Sequence, residues 1–178
     1  MVGSVFKTDE RPNRRVGRFD FDWFPPLATI AGMWPLVLLL ALTPQEESVV
    51  SAVQKLFDAM AAHDGAAAAA VTVPEGRVFA LRATGEPGPS SSLAQFAERL
   101  PNIKGKILER MWQPEVRIDG NLATLWAPYD FHRDGQRTHC GIDAVTLVKT
   151  AGGWKISGIQ YTVVTEGCPA NPLGKPPA

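Results

Sequence analysis

The chain has only two cysteines, Cys140 and Cys168, no excess charge of either sign, and no apolar run of membrane-spanning length. Two cysteines cannot complete a four-ligand zinc site by themselves and are too few for a disulfide scaffold. Eighteen Lys and Arg balance 18 Asp and Glu, so the formal net charge is zero. The basic stripe that displaces counterions from nucleic acid is missing, and no nucleic-acid partner is expected. There is no P-loop, no Gly-rich dinucleotide turn after a strand and no HExxH motif, so no metal or cofactor is expected. What is present is ordinary: 178 residues, 45% apolar, 20% charged and 8% aromatic. That length suits one domain with a core large enough to surround a small-molecule cavity.

Residues 1–45 are built differently from the rest. Lys7, Arg11, Arg14, Arg15 and Arg18 precede an uncharged run from Leu27 to Leu42. A basic stretch followed by such a run is the pattern of an export signal or a membrane tether. Pro35 lies inside the run, which is short for a spanning helix of about 20 residues. The small residues of a cleavage site are poorly met at Ala41-Leu42-Thr43, and Met33 offers a second start. The alternative is a hydrophobic helix docked on the domain.

Residues 46–166 read as helices followed by strands. Thr43-Pro44-Gln45-Glu46 is a capping-box start, after which Val49, Val53, Leu56, Phe57 and Met60 share a helical face. Gly65 is available to close that helix in the left-handed region. The Ala66–Ala70 run is a second short helix, and Arg77–Arg82 a strand. Gly85–Ser90 reads as a loop by composition, and Ser92 with Gln95 starts a further helix. Asp119-Gly120, Asp134-Gly135 and the Ala151-Gly152-Gly153 region then separate four antiparallel strands, near 107–118, 121–133, 136–149 and 154–165. The tail, 167–178, holds four prolines and is expected to run extended on the surface.

Tight turns fix register, and register fixes faces. With Asp119-Gly120 and Asp134-Gly135 as the turns, one face collects Trp112, Val116, Ile118, Ala123, Leu125, Ala127, Tyr129, Phe131, Cys140, Ile142, Ala144 and Thr146. Helices must cover this apolar face. A pocket for an unidentified small apolar or aromatic molecule is therefore expected near Arg110, Trp112, Tyr129, Phe131, Cys140 and Tyr161. Arg110 would be its distinctive polar group, or would snorkel at the sheet edge. The other face collects Glu109, Gln113, Trp126, Asp130, His139 and Asp143, with Asp130 beside His139, and Trp126 between Gln113 and Asp143. A bulge at Pro128 or Gly141 would swap faces and turn His139 or Asp143 into the pocket; the residues leave this open. The same register sets Cys140 opposite about Thr162, too far from Cys168 to bridge unless the tail folds back, and no disulfide is expected.

Val116-Arg117-Ile118-Asp119-Gly120-Asn121-Leu122-Ala123, Trp126-Ala127-Pro128-Tyr129, His139-Cys140-Gly141-Ile142-Asp143 and Gly153-Trp154-Lys155-Ile156 carry a resemblance. Over roughly 46–166 the chain resembles the SnoaL-like proteins of the nuclear transport factor 2-like superfamily. It is most similar to the group whose family label is lumazine-binding, a label that assigns no ligand. The resemblance implies an α+β cone, N-terminal helices covering a curved antiparallel sheet with a pocket, often dimerising through sheet faces. Ketosteroid isomerase and scytalone dehydratase share that cone and use pocket Asp, His or Tyr residues.

Three functions follow as expectations. The first is a small-ligand-binding domain, exported (periplasmic or extracellular) or membrane-tethered. The second is an isomerase, dehydratase or cyclase that moves a proton, with His139 or Asp143 as base and Tyr129 or Tyr161 as hydrogen-bond donor. The third is an association module, a homodimer formed through the outer sheet face around Trp126.

Overall fold

The computed structural model describes residues 42–82, 85 and 87–176. The leader, its fate and the Met33 start lie outside them. α1 (Pro44–Ala61) begins as its sequence dictates: Glu46 N donates to Thr43 Oγ1 and Thr43 N to the Glu46 carboxylate. Such a capping box contributes about 1 kcal/mol by satisfying amides the helix leaves unpaired. Val49, Val53, Leu56, Phe57 and Met60 form its buried face. The left-handed residue after α1 is His63, at φ +55°, and not Gly65. Gly65 instead opens α2 (Gly65–Ala70), where a Cβ would lie 2.5 Å from the Ala97 carbonyl. No described helix is long and apolar enough to cross a membrane.

β1 (Thr72–Arg82) pairs antiparallel with β2 (Pro87–Ser92), so a strand stands where composition suggested a loop. β2 is an edge strand, where Pro87 and Pro89 need not donate to a second ladder. α3 (Leu93–Arg99) starts at a second capping box, Ser92 with Gln95, and runs into a 3-10 turn, Leu100–Asn102. Then come β3 (Ile107–Met111), β4 (Glu115–Asp119), β5 (Leu122–Arg133), β6 (Gln136–Thr150) and β7 (Gly153–Val163). The sheet order is β2-β1-β7-β6-β5-β3, with β4 also on β5. All neighbours are antiparallel except β1 and β7, which run parallel. The result is an α+β layer of helices on a curved, unclosed sheet.

Register departs from expectation at four places. The strand expected over 107–118 breaks at Trp112-Gln113-Pro114, with Gln113 at φ +46°, because Pro114 cannot donate to the ladder. The first hairpin turns on Gly120-Asn121, since Asp119 pairs with Leu122. Asp134-Gly135 is the second turn as expected, both residues left-handed, but the register shifts at once, leaving Thr138 unpaired and setting Phe131 opposite His139. A further shift lies between Thr146 and Leu147. The expected faces of β6 are therefore exchanged: Asp143, Val145 and Leu147 are buried opposite Ala127, Leu125 and Ala123. Cys140, Ile142, Ala144 and Thr146 occupy the other face.

The β6–β7 register also overturns the expectation about the cysteines. Cys140 sits opposite Val164, the chain turns back through Gly167 at φ +70°, and Cys140 and Cys168 are bonded with their α-carbons 5.9 Å apart. The tail is thereby tied to the outer face of the sheet.

Candidate functional site

A cavity of about 600 Å³ lies between the helices and the sheet. Leu56, Phe57, Met60 and Phe96 wall it from the helices, and Glu109, Tyr129, Phe131, His139, Asp143 and Tyr161 from the strands. The volume is typical of small-molecule sites, and the wall is mostly apolar.

Two carboxyls break that apolar surface. β5 runs between β3, which carries Glu109, and β6, which carries Asp143, yet both side chains line the cavity over it and act on each other. Burial pushes the Asp143 carboxyl up to about 7, although the Glu109 carboxyl beside it acts in the opposite sense. Burial raises Glu109 well above the ordinary carboxylate range, reinforced by the charge of Asp143 beside it. Like-charged carboxylates in low dielectric cannot both ionise cheaply, so Glu109 keeps its proton and Asp143 is the one that ionises near neutrality. Asp143 Oδ2 is buried and accepts no hydrogen bond from the described residues.

The aromatic neighbours divide by role. Tyr129 donates its hydroxyl to the Thr162 carbonyl at 2.8 Å, which leaves Tyr161, edge-on to it at 6.1 Å, as the phenol facing a ligand. Burial, and then the nearby carboxyls, raise both phenols, so both stay protonated. His139 stacks on Phe131 with ring centroids 4.9 Å apart, and burial lowers its basicity, so it is a neutral ring. Four residues of one strand, roughly 13 Å, separate His139 from Asp143, which puts them at different ends of the wall.

Of the sequence-expected ligand residues, Tyr129, Phe131 and Tyr161 line the cavity and Arg110, Trp112 and Cys140 do not. Arg110 is on the outer face, where Nε and Nη2 donate to Asp130 at 3.0 and 2.6 Å. His132 Nε2 lies 3.1 Å from the same carboxylate, and Asn171 of the tail donates to it at 2.7 Å. Burial alone would raise Asp130, but the hydrogen bonds from Arg110, Asn171 and His132 hold it below its ordinary value. The expected Asp130–His139 pair is thus replaced by Asp130 with His132, two residues along the same strand. Trp112 falls in the break after β3, and Cys140 is in the disulfide. Trp126 does face outward, but between Glu115 and Ala144 rather than Gln113 and Asp143.

The expectation that Glu109 lies on the outer face fails because the strand is not continuous through Pro114. The alternation Ile107-x-Glu109-x-Met111, with both apolar residues buried, is the signal that places it inward.

No family model and no curated protein sequence matches this chain. Solved structures do. A nuclear transport factor 2-like protein with a cystatin-like fold from Novosphingobium aromaticivorans superposes with a TM-score of 0.59 at 13% identity, covering 71% of this chain and 85% of that one. A Kribbella flavida protein gives 0.56 at 17% identity, over 67% and 90%. A suggested dehydratase of the nuclear transport factor 2-like family from Streptomyces avermitilis gives 0.54 at 19%, over 66% and 94%. At these identities the likeness concerns architecture alone: the described residues adopt the nuclear transport factor 2-like fold.

Proposed function

We propose that the domain binds a small, largely apolar molecule in this cavity and moves a proton on it, as an isomerase, dehydratase or cyclase does. The observation that carries this is Asp143 Oδ2, a buried carboxylate oxygen without a donor among the described residues, in an apolar wall beside the Glu109 carboxyl. Asp143 would take the proton from a carbon next to a carbonyl. Glu109 and the Tyr161 hydroxyl would donate hydrogen bonds to the oxygen on which charge develops. In isomerisation Asp143 returns the proton to another carbon of the substrate. In dehydration the departing hydroxyl takes a proton from Glu109 and leaves as water.

The test is solvent deuterium incorporation into a panel of enolisable ketones, followed by proton NMR with the purified protein. At least one ketone should exchange faster than in buffer, and Asp143→Asn should abolish the excess. Ligands that bind yet exchange only at the buffer rate would leave a binding domain without chemistry.

A second reading concerns association. Trp126 and Leu122 are each 52% exposed on the outer face, an apolar pair that suits the centre of a contact with a second copy. Export or tethering by the leader is supported by the Cys140–Cys168 bond, since such bonds persist in oxidising compartments.

A further inference from the structure

We propose that the pocket takes an amphipathic anion: an apolar or aromatic body with one carboxylate-like or sulfonate-like group, which Arg99 and Arg133 hold at the mouth. This rests on the pocket reading above and names the class of molecule it accepts.

The charges around the cavity are separated by depth. Among the described residues its acidic lining groups are Glu109, half-buried, and Asp143, 2% exposed. Its cationic lining residues, among those described, are Arg99 and Arg133, both exposed. They arrive from different elements, Arg99 from the end of α3 and Arg133 from the end of β5. Each is steadied by one neutral acceptor: Arg99 Nη2 donates to Ser91 Oγ at 2.8 Å and Arg133 Nη1 to the Lys104 carbonyl at 3.0 Å. Among the described residues no carboxylate lies within salt-bridge distance of either. A guanidinium has five donors, so each retains most of its fork for an anion.

The deep end refuses the same anion. A second negative charge beside Asp143 would be desolvated and repelled. An anionic ligand therefore enters in one orientation, charged group outward and carbon skeleton inward, which carries its reactive carbon toward Asp143. A neutral ligand gains nothing from the arginines and has no such constraint.

Two dyes with one ring system provide the probe: N-phenyl-1-naphthylamine, which is neutral, and 8-anilino-1-naphthalenesulfonate. Each is titrated by fluorescence against the full chain and its Arg99→Gln/Arg133→Gln variant. The wild type should bind the sulfonate about tenfold more tightly at low salt, and the double variant should bring the two affinities together through loss of the sulfonate alone. Equal wild-type affinities, or a variant that weakens both dyes alike, would overturn the inference and leave the pocket reading standing. A folded wild type that binds neither dye would overturn both.

Discussion

Phe131 and His139 stand directly opposite each other on β5 and β6, their rings stacked 4.9 Å apart and inclined by 20°. Two residues nearer the turn, His132 pairs with Arg137, so one residue, Thr138, has no partner. Because side chains alternate along a strand, that single extra residue decides the facing of everything beyond it on β6. Deleting Thr138 should turn Asp143, Val145 and Leu147 toward solvent and abolish cooperative thermal unfolding. Thr138→Ala keeps the count and should shift the melting temperature by little. A cooperative melt in the deletion variant would show that the facing is set elsewhere.

The raised pKa of Asp143 predicts a stability that falls with pH. Unfolded, the carboxyl ionises near 3.8; folded, at about 7. Its favourable contribution is complete below 3.8 and is lost as pH rises to about 7, since in that window the folded state holds the extra proton. Asp143→Asn should therefore melt several degrees above the wild type at pH 8, with the gap closing toward pH 4. Parallel Tm profiles for the two proteins would refute the assignment.

Asp130 acts in the opposite sense. Its lowered pKa adds stability above its unfolded value, near 3.8, that disappears as the pH falls through the folded one. Arg110→Met leaves this carboxylate buried without its bidentate partner and should cost about 3–5 kcal/mol in urea unfolding. Arg110→Met/Asp130→Leu removes both charges and should recover a large part of that loss. Equal losses in the single and double variants would mean that packing, not charge, holds this face.

Reduction should loosen the tail before it touches the pocket. The bond between Cys140 and Cys168 closes a separation of 28 residues, for which chain entropy gives about 3–4 kcal/mol. Cys140→Ser/Cys168→Ser should lower Tm by roughly 10 °C. Ellman titration of the denatured, unreduced protein should find no free thiol; two thiols would remove the bond from the account.

If the outer face mates with a second copy, sedimentation at micromolar concentration should show a dimer that Trp126→Asp dissociates. A monomeric wild type would dismiss the association reading.

Much of the fold is readable in the residues because it is set locally. Thr43 with Glu46 and Ser92 with Gln95 start helices through contacts three residues long, and Asp134-Gly135 makes its hairpin by backbone preference alone. The site is less readable because it depends on parity. Pro114 and Thr138 each displace a register by one residue, and such a step costs little locally but exchanges two faces of a sheet. That is why Tyr129 and Phe131, on β5, face the cavity as expected, while Glu109, Arg110 and Cys140 lie on the opposite face from the one expected. The facing of His139 and Asp143 is open in the residues for the same reason: Pro128 and Gly141 both invite a bulge, and the bulge falls at Thr138. The Cys140–Cys168 bond is not legible because the β6–β7 register runs two residues off the expected one, setting Cys140 opposite Val164 and not Thr162, and the chain then turns back at Gly167.

The tail has a geometric consequence for anything that approaches the outer face. Arg110 donates to the Gly174 carbonyl and Arg137 to that of Pro169, so the segment is stitched across the half of the face that carries Asp130 and His132. The Trp126 half keeps its surface. A visitor thus finds one half already roofed and must land off-centre, which gives this face a built-in handedness that a bare sheet would lack.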